Sequence, residues 1–188
     1  MVLIMKSVFF ALLGFTNLHL GLAFPDGAPA DTCVKKRANQ PNHGAARSQP
    51  PETFPYQVVA SSDSYRPGQQ IHVQISATST KDPFRGFFLQ ARDVETNEWI
   101  GEWDESPNTK TIPECSSITH ADPKDKIGAT FVWKAPQDKA GHVYFTGAVV
   151  KDYGTFWANV QALVAAPSYE PQQQQYHRPQ HQQHYQQK

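Results

Sequence analysis

The chain has 188 residues but only two cysteines and no excess of either charge, with 17 basic and 17 acidic side chains. Each scarcity excludes something. Neither Cys33 nor Cys115 has another Cys or a His within four positions, so the short ligand spacing of a structural zinc site is missing. Balanced charge excludes the strong basic excess of a general nucleic-acid binder. No apolar run reaches the roughly 20 residues that cross a bilayer as a helix, and no cationic amphipathic helix of the membrane-active kind is present. There is no Asn-x-Ser/Thr sequon, so N-glycosylation is not expected. The histidines His43, His72, His120 and His142 show no pairing at metal or catalytic spacing.

The features present begin with Lys6 and the apolar run from Val8 to Leu22, closed by the small residues around Gly21-Leu22-Ala23. Charge, length and exit residues predict a signal peptide over residues 1–23, a mature start at Phe24, and secretion. Cleavage would remove Lys6 and leave 16 basic against 17 acidic groups. In an oxidising compartment the two cysteines are expected to pair. The Cys33–Cys115 loop of 82 residues would be worth roughly 4–5 kcal/mol by chain entropy. From Pro167 the sequence turns to Gln, His and Pro with almost nothing apolar, so residues 168–188 are expected to be a disordered tail. His177, His181 and His184 read as solvated tail residues rather than metal ligands, and no cofactor is implied.

Between these ends the apolar period is two. Ile71, Val73 and Ile75 alternate with polar neighbours, as do Ala129, Phe131 and Trp133, and Val143, Phe145, Gly147 and Val149 share one side. Tyr65-Arg66-Pro67-Gly68 has tight-turn chemistry. Short strands with such separators predict an all-β, antiparallel β-sandwich over residues 24–167. Within it, FRGFFLQARDVETNEWIGEWD (Phe84–Asp104) reads as a hairpin. Phe87, Leu89 and Ala91 share one face of its first strand, and Trp99 and Trp103 share one face of the returning strand. Gly86 signals a bulge or a close approach.

Catalysis has a thin basis. Glu98, Glu102, Asp104 and Glu105 contain pairs at strand spacing, as a glycosidase would need, but no neighbour marks a general acid, so a non-enzymatic protein is expected. Binding has two candidate features. Lys35, Lys36 and Arg37 follow Cys33 directly and suit phosphates. Trp99 and Trp103, flanked by Asn97, Glu98 and Glu102, offer indole faces for sugars.

The ordered set Cys33, Pro41-Asn42-His43-Gly44, FRGFFLQARD, Val132-Trp133-Lys134-Ala135-Pro136, GHVYFTGAVV and Thr155-Phe156-Trp157 resembles the reeler domain. It is most similar to short secreted insect defence proteins of the noduler kind, built of a signal peptide and one such domain. The resemblance implies an immunoglobulin-like sandwich and an extracellular role in innate immunity. It further implies binding of microbial surface polymers such as lipopolysaccharide, lipoteichoic acid or β-glucan, with aggregation or nodulation involving haemocytes and an antimicrobial effect. An alternative expectation is an adhesive extracellular-matrix protein whose Gln-rich tail is crosslinked.

Overall fold

A computed structural model describes residues 25–34 and 39–166. The leader, the tail from residue 167 and Lys35, Lys36 and Arg37 lie outside the described residues. The strands are β1 Tyr56–Ala60, β2 Ser64–Tyr65, β3 Gln70–Ala77, β4 Gly86–Asp93, β5 Glu102–Trp103, β6 Thr109–Ile112, β7 Ser117–His120, β8 Gly128–Lys134, β9 Gly141–Asp152, β10 Thr155–Gln161 and β11 Leu163–Val164. One sheet runs β11-β1-β3-β8-β5 and the other β10-β9-β4-β7-β6, with β2 joined to β9. Pairing is antiparallel except that β11 lies parallel to β1. The all-β sandwich expected from the period-two pattern, immunoglobulin-like as the family resemblance implies, is the fold the chain forms.

The pattern works because alternate side chains leave a strand on opposite faces. Ile71, Val73 and Ile75 of β3 and Trp133 of β8 are fully buried between the sheets. The Arg66-Pro67-Gly68-Gln69 turn feeds β3, closed by the Gln69 N–H on the Arg66 carbonyl at 3.1 Å. Rings then fill the interior edge to face: Tyr65 on Trp133 at 5.3 Å, Trp133 on Phe145 at 5.6 Å, and Phe145 on Trp103 at 5.5 Å. Phe84 meets Tyr56 at 5.6 Å, and Tyr56 meets Trp157 at 5.6 Å. Such geometry sets the positive edge of one ring against the negative face of the next, and each pair is worth about 0.5–1.5 kcal/mol beyond area burial.

The expected hairpin begins after β4, with the Asp93 N–H on the Glu98 carbonyl at 2.9 Å and the Ile100 N–H on the Ala91 carbonyl at 3.3 Å, but it is cut short. Trp99 makes a single bridge to Arg92 of β4, after which the chain crosses to the other sheet, where Glu102 and Trp103 pair with Lys134 and Trp133 of β8. Gly101 makes the crossing possible: its φ is +68°, and a Cβ there would collide with the Lys134 carbonyl and the Trp133 ring. Odd spacing therefore does not place Trp99 and Trp103 side by side, because the strand expected to carry both is broken between them.

Candidate functional site on the outer face of the six-stranded sheet

Strand β4 is buried on both sides. Its outward residues pair across to β9 as Arg92 with Tyr144, Gln90 with Thr146, Phe88 with Ala148 and Gly86 with Val150. They are covered by the segment leading into the sandwich, which is pinned at several points. The Ala28 N–H donates to Thr119 Oγ1 at 3.0 Å. Cys33 is bonded to Cys115, Cα to Cα 5.8 Å. Further on, the Gln49 N–H donates to the Phe156 carbonyl at 2.8 Å and the Ala158 N–H to Ser48 Oγ at 2.9 Å. Cys33, Cys115, Phe88 and Ile112 form a small second core, with Ala28 and Trp99 packed against it. The expected disulfide is thus the centre of a separate hydrophobic cluster.

Beside that cluster runs a fixed polar network. Asn39, buried and with φ +60°, donates from Nδ2 to Thr146 Oγ1 at 3.2 Å and accepts from Gln90 Nε2. Gln90 Oε1 accepts from both Arg92 Nε and Trp99 Nε1, each at 2.9 Å. Arg92 Nη1 donates to the Asn97 carbonyl at 2.8 Å, its guanidinium lies 4.6 Å over the Trp99 ring, and Tyr144 donates to Asn97 Oδ1. A guanidinium held by two hydrogen bonds and a cation–π contact has little rotamer freedom left to lose on binding. Among the described residues no carboxylate stands within ion-pair distance of Arg92.

The candidate residues separate cleanly. Trp103 is buried in the main core, its indole N–H donating to the Ser116 carbonyl at 2.8 Å, and it offers no open face to a sugar. Trp99 is half-buried on the outer face, with Arg92 over its ring and the disulfide cluster beside it. Lys35, Lys36 and Arg37 lie in the interval between Val34 and Asn39, bracketed by Cys33, which packs in the cluster that Trp99 joins, and by Asn39, which holds Gln90. Of the two candidate features, only Trp99 therefore falls among the described residues, on the outer face of the six-stranded sheet. Arg92 was not singled out from sequence, although its place in a strand whose other face is apolar was a usable signal. The carboxylates also part: Asp104 pairs with Lys134 at 2.5 Å on the five-stranded sheet, whereas Glu98 sits in the loop beyond β4.

At the other end of the same face the cover and the sheet part around a cavity of about 260 Å³. His43 stands at its edge, stacked on Tyr153 at 4.7 Å and edge-on to Phe156 at 5.8 Å. Burial of the ring holds the His43 pKa below the ordinary imidazole value, opposed by the Tyr153 backbone and the charge of Asp152. His43 of the Pro41–Gly44 motif contributes here by ring stacking, and its buried Nδ1 has no partner of good geometry.

These features define an all-β sandwich whose entry segment is disulfide-bonded across one sheet. A family model for the Reeler domain matches residues 32–173, and the chain belongs to that family. It is 35% identical over 154 residues to "Putative defense protein 3" of Antheraea mylitta, covering 80% of this chain and 88% of that protein. It is also 27% identical over 165 residues to Ferric-chelate reductase 1 of Bos taurus, but that match spans only 27% of the reductase. The human F-spondin reeler domain superposes with a TM-score of 0.50 at 20% identity, covering 69% of this chain and 91% of that one; that likeness concerns the fold alone. Among the described residues no helix is long and apolar enough to cross a membrane.

Proposed function

We propose that this chain is a secreted, non-enzymatic innate-immunity protein that binds anionic polymers of microbial surfaces through the outer face of its six-stranded sheet. The defence role is supported by relatives that align over most of their length and carry that name. The observation that carries the binding mode is Arg92 held over Trp99 on this face, and the run Lys35, Lys36 and Arg37, which in sequence directly follows the disulfide cysteine Cys33, is proposed to add to it. Phosphate-rich polymers, lipoteichoic acid and lipopolysaccharide, suit a fixed guanidinium together with further Lys and Arg donors. Neutral β-glucan would draw only on Trp99 and the amides of Asn97. Aggregation, nodulation with haemocytes and any antimicrobial effect would follow from several such contacts on one cell. A binding panel of lipoteichoic acid, lipopolysaccharide, peptidoglycan and β-glucan tests this. The two anionic polymers should bind with strong salt dependence, and equal binding of β-glucan at all salt concentrations would reject the cationic mode.

A further inference from the structure

The cavity on the outer face is lined by neither Arg92 nor Trp99, although Asn39 of the polar network borders it. It exists because both of its walls are small. The sheet contributes Gly86 and Ala148, and the cover contributes Gly27, Ala28 and Pro29. Gly86 is forced, since a Cβ there would stand 2.9 Å from the His120 ring. The pins at Ala28 and at the disulfide hold the cover in place while these short side chains leave the space between unfilled. Phe88 and Val150 complete an aliphatic and aromatic interior.

The volume and the rim limit what fits. At about 30 Å³ for each water-sized group, 260 Å³ takes roughly eight or nine of them, the size of an eight-carbon chain. Aromatic rings at the edge are already paired with each other, His43 with Tyr153, and the remaining walls mix Pro, Ala, Val and Phe with the uncharged polar groups of Thr32, Asn39 and Asn42. The rim does not attract an anion. Arg85 is neutralised by Asp125 at 2.7 Å, and Asp152 adds a carboxylate at the mouth. We propose that this cavity binds a single unbranched alkyl chain of about eight carbons carried on a neutral head group, with the head at the Arg85–Asp152 rim. Each methylene that enters contributes about 0.8 kcal/mol, close to a factor of four in affinity.

The test is titration of the folded protein with 1-octanol, followed by amide chemical shifts. Saturable shifts are expected at Ala28, Ala148 and Val150, with octanoate weaker because of Asp152 and benzyl alcohol weaker because it fills less of the space. Two variants fill the cavity from opposite walls, Ala148→Leu from the sheet and Ala28→Leu from the cover. Each should weaken 1-octanol binding roughly fifteenfold, the loss of two methylenes. Should Ala148→Leu disturb β9, Ala28→Leu still decides, because it lies in the cover and not in a strand. Unchanged 1-octanol binding in Ala28→Leu, or shifts mapping elsewhere, overturns the site. Octanoate binding as tightly as 1-octanol overturns the neutral head group, and benzyl alcohol binding more tightly overturns the chain.

Discussion

Strand β4 sends Phe87, Leu89 and Ala91 to the interior of the sandwich and Phe88, Gln90 and Arg92 to the opposite side, and all but Arg92 are buried. The inner side is closed by a second sheet, with rings packed on rings. The outer side is closed by a single segment held by one disulfide, a few hydrogen bonds and a polar network. A sheet-on-sheet interface favours apolar groups, because a polar group buried there without a partner is costly. A pinned segment can cover polar ones, provided each finds a partner, and can leave a gap where its side chains are short. The same strand thus serves stability on one face and, in the function proposed above, recognition on the other.

The comparison can be broken at several points. The largest effect is expected from Cys33→Ala with Cys115→Ala, which releases the cover: chemical denaturation should show a loss of about 4–5 kcal/mol, and the cavity should be lost with it. A loss below about 1 kcal/mol would mean the cover is held mainly by its hydrogen bonds. On the inner side, Trp103→Ala should cost about 3–5 kcal/mol and Trp99→Ala clearly less, because Trp99 is only half-buried. For polymer binding the order should reverse, with a properly folded Trp103→Phe binding normally. Gly101→Ala should cost about 1–3 kcal/mol from backbone strain alone, with more from the Lys134 carbonyl and Trp133 ring, and would test the sheet crossing between the two tryptophans.

The smallest effect concerns pH. Burial lowers the His43 pKa in the folded protein, so the unfolded chain binds more protons just below the ordinary imidazole value of about 6.5. The stability tied to neutral His43 is therefore present above that value and is lost as pH falls through the folded pKa. His43→Phe, which keeps a ring against Tyr153, should flatten this part of the stability profile. An unchanged slope between pH 7 and 5 would assign it to another group.

The inner face was legible in the sequence because one side of each of β3, β8 and β9 meets apolar partners and the period of two survives intact. The disulfide was legible too, since only one pairing of two cysteines exists. The outer face was not. In β4 the alternation disappears because both faces are covered, and Gln90 and Arg92 look like ordinary solvent-facing residues until Asn39, 51 positions away, is brought against Gln90, which in turn accepts from Arg92. Trp99 and Trp103 misled for a related reason: period-two reasoning assumes an unbroken strand, and one left-handed glycine at position 101 sends the two indoles to different sheets. The cavity had no local signal at all, being the space left between Ala28 and Ala148, residues that are ordinary where they stand in the chain.

The central claim, that Lys35, Lys36, Arg37 and Arg92 act as one cationic face, is tested most directly by a salt series of lipoteichoic acid binding. It compares the unaltered protein, the triple change to Ser at positions 35–37, Arg92→Gln, and all four changes together. Exposed ionic contacts contribute about 0.2–1 kcal/mol each and are screened beyond roughly 10 Å at 0.1 M salt. Accordingly the triple variant should bind about tenfold more weakly at low salt, Arg92→Gln should weaken binding further, and the combined variant should lose most of the salt dependence. Undiminished binding by the combined variant at low salt would contradict the account and move recognition off this face.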